Sequence, residues 1–312
     1  MKKKVKVFAP ATVANVGPGF DVLGCAVSQV GDIVEVELRD DYNGEIKIDI
    51  VGDRGRLPLD ENNTAFRAAL EVRKILDEKK GLHLSLQKNL PLGSGLGSSA
   101  ASSVASAWAT NLLFGEKLKK EDLLDLLSEC ERLACGAAHF DNIAPCLLGS
   151  FVLVKENNSN GILRFDSALD LKLVIVSPQV EIKTKDSRDA LPENVSMEQY
   201  VEGLSAVAAL AYGIAAGDEK VFAEAVHKNT LLEKARGGLI PGFFEIKKKS
   251  LAAGALGTTI SGSGPAIFSF CHDEITTKKV AQVMQDIFQE KGIDSKVYFS
   301  EIDKEGAREL LL

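Results

Sequence analysis

At 312 residues, 45% hydrophobic and 26% charged, the chain is long enough for a large core in two joined halves and too ordinary in composition to be disordered. Its 37 basic and 44 acidic residues leave a net charge of −7, which argues against a nucleic-acid or anionic-membrane surface; an anionic ligand would need local donors and a metal ion. No stretch reaches the length of a membrane span, and Lys6 and Pro10 interrupt the signal-peptide-like start at Lys2-Lys3-Lys4.

Residues 4 to 8 alternate as a short strand, and the Gly- and Pro-rich stretch from Ala9 to Gly24 reads as a shaped loop with single polar groups at Asn15 and Asp21. Strand-like runs follow at Ile33 to Leu38 and Glu45 to Val51, joined by Tyr42-Asn43-Gly44, which has hairpin composition. Glu61-Asn62-Asn63-Thr64 opens an amphipathic helix to about Lys79, with Asn62 or Asn63 as its cap. Leu82 to Leu86 alternates as a strand.

That strand feeds Pro91-Leu92-Gly93-Ser94-Gly95-Leu96-Gly97-Ser98-Ser99-Ala100-Ala101-Ser102, a glycine loop entering a helix that ends near Phe114. Gly93, Gly95 and Gly97 leave successive N–H groups uncovered, and the helix start adds the positive end of its dipole, so the loop suits a phosphate. A Walker A loop would need a terminal Gly-Lys-Ser/Thr, and no lysine lies between Lys88 and Lys117. The glycine spacing also departs from the dinucleotide fingerprint. A flexible turn with Ser98 or Ser99 as helix cap is the plainer alternative.

A second helix is expected from about Lys120 to Leu133, carrying Glu129 and Glu131. His139-Phe140-Asp141-Asn142-Ile143-Ala144-Pro145 reads as a loop entering a helix turn before a buried strand in 147 to 154. Further strands are expected at Ile162 to Phe165 and Lys172 to Val176, then a polar loop with Thr184 and Arg188, and helices at Met197 to Ala215 and Asp218 to His227. Another glycine loop lies between strand-like runs in Ala255 to Phe268. A helix from Thr277 to Glu290, a strand from Ser295 to Phe299 and a short terminal helix close the chain. Cys25, Cys130, Cys135, Cys146 and Cys271 form no Cys-x-x-Cys and read as reduced thiols of a cytoplasmic protein.

The loop at 91–102 resembles the phosphate-binding motif of the GHMP small-molecule kinases, and the likeness spans nearly the whole chain. Residues 9 to 24 resemble the first motif of that superfamily in the form homoserine kinases carry, and 255 to 268 resemble the third. His139-Phe140-Asp141-Asn142-Ile143-Ala144-Pro145 is similar to the homoserine kinase element His-x-Asp-Asn-Val/Ile-Ala-Pro. Glu233-Lys234-Ala235-Arg236 through Leu239-Ile240-Pro241-Gly242 is similar to another segment of that family, with Lys234 in place of proline. Cys135-Gly136 for Ser-Gly and Gly149-Ser150-Phe151 for Gly-Gly-Phe are further departures, each keeping a small residue.

The resemblance implies an α+β fold of two intimately joined domains, residues 1–160 with a left-handed βαβ-type phosphate-loop unit and residues 161–312 with a ferredoxin-like arrangement. It implies ATP on loop residues 91–101 with Asn62 beside the adenine, and Mg²⁺ held by Ser99 and Glu131. Asn15, Asp21, His139, Asp141, Thr184, Arg188, Arg236 and Gly262 are implied to contact L-homoserine. Asn142 is implied to lie beside the transferring phosphate, Asp141 being a further catalytic candidate. A homodimer is implied at family level. A kinase for another small alcohol such as mevalonate, or a silent ligand-binding relative, are the alternatives.

Overall fold

The first sheet grows from an antiparallel pair, β1 (Lys4–Ala14) and β2 (Leu23–Arg39). The structure is a computed structural model and describes residues 2–136, 138–182, 184–228 and 231–311, with the side chains of residues 134, 135, 184, 185 and 188 outside the described set. Strand β1 runs six residues beyond the expected Phe8, so the shaped loop narrows to residues 15–22. Its far end is buried on both faces and lacks the alternation that marks a half-exposed strand. Pro10 is tolerated where the ladder shifts register between Pro10 and Ala11, since a bulge leaves a donor unused.

Strand β3 (Ile46–Val51) does not form the expected hairpin with β2. It is joined through α1 (Thr64–Ile75) to β4 (Gly81–Gln87), which inserts between them, antiparallel to β2 and parallel to β3. Leu82, Leu84 and Leu86 drive that insertion, because all three are buried and β4 pairs on both edges. Asn63 caps α1, accepting from the Ala65 and Phe66 N–H groups. The helix ends at Ile75, short of the expected Lys79, where Asp77 turns the chain back with φ +51°.

The central helix α2 (Ser98–Leu113) is buried along its length except at Ser99 and Leu112. Its alanines and serines allow close approach to β1, β2 and α1, and its hydroxyls find carbonyls, as Ser106 Oγ does on Ala65 at 2.6 Å and Thr110 Oγ1 on Ser106 at 2.8 Å. Next come α3 (Leu124–Cys135), α4 (Phe140–Leu148), β5 (Phe151–Val154) and β6 (Ile162–Phe165). Strand β5 pairs with both β2 and β6, extending the first sheet.

The second sheet begins with β7 (Lys172–Pro178), after which the chain runs through α5 (Thr184–Asp189), α6 (Met197–Ala216), α7 (Glu219–Val226), α8 (Leu231–Arg236) and α9 (Phe243–Ala252). It returns as β8 (Gly257–Ile260), β9 (Ile267–Cys271), α10 (Glu274–Glu290) and β10 (Ser295–Glu301). The order β10-β7-β9-β8, antiparallel throughout, is the ferredoxin-like arrangement. The chain ends in a strand where a terminal helix was expected: β11 (Arg308–Leu310) covers the edge of β1 at Lys6 to Phe8. Arg308 fixes it, bonding Asp303 at 2.9 Å and lying over the Phe8 ring.

One core runs under both sheets, from Val5 and Leu84 to Phe268 and Phe270, so the halves share their interior. A smaller cluster, including Val174, Ile260 and Phe288, fills the space beneath α9 and α10. Cys25, Cys130, Cys146 and Cys271 are buried free thiols. Among the described residues no helix is long and apolar enough to cross a membrane.

Candidate active site

Three left-handed glycines shape the loop between β4 and α2: Gly93 (φ +66°), Gly95 (φ +80°) and Gly97 (φ +63°). Close approach adds to the requirement at two of them. A Cβ on Gly95 would lie 2.3 Å from the Ser261 carbonyl oxygen, and one on Gly97 would lie 2.0 Å from Thr12 Oγ1 and 3.0 Å from Asn142 Oδ1. The loop is tied down by Thr12 N to Leu96 O (3.2 Å), Ala266 N to Ser94 O (3.1 Å) and Ser261 Oγ to Gly95 O (2.6 Å). The Gly93 position faces open space.

Helix α2 starts at Gly97 with no side-chain cap, so Ser98 and Ser99 do not close its end. The positive end of its dipole thus lies at the cleft that Gly97, Ser98, Ser99 and Ala100 line. Gly93, Ser94, Gly95, Gly97, Ser98, Ser99 and Ala100 line a cleft of about 550 Å³. Leu96 and Ala101 are buried in the core behind it, and the Pro91 carbonyl accepts from Ser94 Oγ at 2.8 Å. Pro91 and Leu92 flank the loop without lining the cleft.

The opposite wall collects residues that are far apart in sequence. Asn15 (φ +58°) and Asp21 (φ +55°) sit in the β1–β2 loop, where Asn15 Nδ2 donates to the Gly262 carbonyl at 2.8 Å and Asn15 Oδ1 accepts from the Asp21 N–H at 2.9 Å. His139 and Asp141 lie at the start of α4. Pro145, one turn on, has no N–H for the Asp141 carbonyl, which packs so tightly on Gly24 that a Cβ there would come within 1.8 Å. Ligand atoms of Asp21, His139 and Asp141 all lie within 4.8 Å of one another. Burial, and then the neighbouring Asp21 carboxylate, push the Asp141 carboxyl up to about 7, while the Asn15 N–H pulls the other way.

Arg236, 4% exposed at the end of α8, brings positive charge to the same cleft. Its Nε donates to the Ser187 carbonyl at 2.7 Å and its Nη1 to the Gly262 carbonyl at 3.3 Å, while the guanidinium lies 5.2 Å from the Phe20 ring centre. Ser187 in turn donates from Oγ to the Ser263 carbonyl at 3.0 Å. A carboxylate pair and a guanidinium thus share one pocket, the charge pattern of a zwitterion reversed. Asn142 accepts at Oδ1 from Thr12 Oγ1 at 2.7 Å, which turns its Nδ2 donor end away from Thr12.

Glu131 on α3 and Ser99 both line the cleft. Glu131 is 5% exposed and accepts from Ser103 Oγ at 3.4 Å; Ser99 Oγ contacts Thr64 Oγ1 at 3.4 Å. A buried carboxylate with a nearby hydroxyl is a hard-oxygen set that fits Mg²⁺. Asn62 is exposed, with Nδ2 on Asp60 at 3.0 Å, and is not a cleft wall. The side chains of Thr184 and Arg188 lie outside the described residues; their backbone belongs to α5. Sequence reasoning missed Thr12, Phe20, Ser187 and Leu191, because nothing local marks a residue whose partner is brought by another element.

Two family models match, "GHMP kinases N terminal domain" over residues 63–150 and "GHMP kinases C terminal" over residues 209–290. The chain is 42% identical to the homoserine kinase of Arabidopsis thaliana, covering 97% of this chain and 84% of that one. It is 39% identical to the homoserine kinase of Chlorobaculum tepidum over 98% of both. A crystal structure of homoserine kinase from Cytophaga hutchinsonii superposes with a TM-score of 0.95 at 43% identity, covering 99% of this chain and 98% of that one. The chain belongs to the GHMP kinases and, within them, to the homoserine kinases.

Proposed function

We propose that this chain transfers the γ-phosphoryl group of ATP to the hydroxyl of L-homoserine by direct in-line attack, giving O-phospho-L-homoserine, a step of threonine biosynthesis. The observation that carries this reading is the sharing of one cleft: the loop and α2 N-terminus form one wall, and Asp21, His139, Asp141 and Arg236 the other.

Phosphoryl transfer asks mainly for alignment and charge stabilisation. The loop N–H groups hold the phosphates. Asp21, Asp141 and His139 take the substrate ammonium, while Arg236 and Arg188 take its carboxylate through parallel hydrogen bonds, with Asn15, Thr184 and Gly262 completing that pocket. Asn142 donates to the transferring phosphate. Asp141, engaged with the ammonium, does not also serve as base, and the hydroxyl proton leaves to a phosphate oxygen or to solvent. Ser99 and Glu131 would hold Mg²⁺, which when bound offsets charge on the β- and γ-phosphates. Asn62 would reach the adenine from the start of α1.

In this reading residues 1–160 carry ATP and residues 161–312 complete the substrate side. A homodimer would cover the apolar stripe that Met197, Tyr200, Val201, Leu204 and Tyr212 leave exposed along α6. Four buried thiols suit a reducing cytoplasm.

The test is ADP release by the purified protein with ATP and Mg²⁺ across L-homoserine, L-threonine, L-serine, mevalonate and galactose. Rapid turnover on homoserine alone, with an O-phosphorylated product, is expected. A preference for another alcohol would overturn the pocket assignment, and no turnover on any of them would overturn the kinase reading.

A further inference from the structure

The phosphate loop contains no lysine, yet a lysine lies directly beneath it. Lys88 follows β4, and its side chain is only 2% exposed. Its ammonium donates to the Asp32 carboxylate on β2, to the Ser98 carbonyl, and to Ser102 Oγ at 2.8 Å, which uses all three of its protons. Asp32, fully buried, accepts the Asn89 and Leu90 N–H groups on Oδ1 at 3.0 and 3.1 Å, and the Ser102 hydroxyl on Oδ2 at 2.8 Å. One carboxylate therefore holds the chain that enters the loop and, through Lys88, the helix turn that leaves it. Neither residue lines the cleft.

The contact with Ser98 reaches further than bracing. The Ser98 carbonyl and the Ser99 N–H belong to one peptide group, and Ser99 is a wall of the cleft. A cation on that carbonyl polarises the peptide and makes its N–H a stronger donor, with little solvent to weaken the effect. We propose that Lys88 is a positioning residue for nucleotide phosphates, strengthening the Ser99 amide from below while Asp32 locks both flanks of the loop. This rests on the reading of the loop as the ATP phosphate cradle.

A buried ion pair that served stability alone would behave differently, because its loss would not discriminate between parts of the nucleotide. The experiment compares the full-length wild type, Lys88→Met, and the charge-neutral pair Lys88→Met with Asp32→Asn, measuring ADP and adenosine binding, melting temperature and both Michaelis constants. In Lys88→Met, ADP affinity is expected to fall at least tenfold and adenosine affinity less than twofold, with KM rising for ATP and holding for homoserine. The double variant is expected to regain melting temperature without regaining ADP affinity. Parallel loss of adenosine binding in Lys88→Met overturns the proposal, as does wild-type ADP affinity in the double variant, which decides alone where the single variant does not fold. A wild type that binds no adenine nucleotide overturns the ATP reading itself.

Discussion

From Gly93 to Ala100 the glycine-loop wall of the cleft is almost one continuous stretch, whereas the facing wall draws on the β1–β2 loop, the start of α4, the end of α8 and the β8–β9 loop. The first wall works through backbone N–H groups and needs empty space at its glycines; the second works through charged side chains, with Asp141 and Arg236 buried and Asp21 exposed at the mouth. Damage to the two should therefore differ in kind. The loop is sensitive to one added carbon, and the pocket to a change of charge or protonation.

Gly97→Ala tests the loop most severely, since its Cβ would stand 2.0 Å from Thr12 Oγ1 in left-handed backbone. We expect kcat/KM to fall by about 100-fold or more, because the displaced loop carries the phosphates out of line. Gly93→Ala, also left-handed but facing open space, meets only the backbone penalty of about 1–2 kcal/mol and should lose tenfold at most. Steady-state kinetics on the two variants decides the point, and equal losses would break the distinction between space and conformation.

Asp141→Asn tests the pocket. On the proposed role of Asp141 as partner of the substrate ammonium, kcat/KM for homoserine is expected to fall by roughly 100-fold while KM for ATP holds. In the wild type, kcat/KM for homoserine should drop as pH falls through about 7, because protonation of Asp141 in the free enzyme removes that charge; the variant should lose this limb. Stability runs the other way. The folded carboxyl, raised above its ordinary 3.8, binds its proton more tightly than the unfolded one, so its contribution declines as pH rises from 3.8 to about 7. Asp141→Asn should consequently melt higher than wild type at pH 8, by at least ~2 °C.

Arg236→Lys keeps the charge but loses the planar fork that bonds Ser187 and Gly262 and rests on Phe20. KM for homoserine should rise about tenfold, and preference over the amino alcohol lacking a carboxylate should shrink by a similar factor. The smallest effect is expected at Thr12→Val, which preserves shape and removes the hydrogen bond to Asn142. A loss of about 3–10-fold in kcat with both KM values unchanged would fit one neutral hydrogen bond, and a rise in KM for homoserine alone would move Asn142 from the reacting phosphate to the amino-acid pocket.

Much of the glycine-loop wall was legible in its conformation because that information is local: three glycines at fixed spacing, then a helix of small residues. The other wall was legible only as separate motifs whose likeness to a family tied them together. Thr12 was hidden inside a stretch that reads as loop, yet β1 runs through it to Ala14. Lys88 served merely to mark where lysines stop, and its burial against Asp32 follows from β4 lying beside β2. The hairpin expected at Tyr42-Asn43-Gly44 failed for the same reason, since turn composition does not reveal a strand inserted from elsewhere.

The sequence by itself determined the elements set by local periodicity and backbone preference: α2 and the loop before it, α6, α7 and most of α10, and the strands rich in branched and aromatic residues. Only the tertiary structure decided strand order, the joining of β11 to β1, and the charge environment of the cleft. Local conformation depends on neighbours within a few residues, whereas strand insertion and carboxylate burial depend on which distant surfaces are removed from water. Asp141 takes its raised affinity for a proton from the interior around it and from Asp21, 120 positions earlier in the chain.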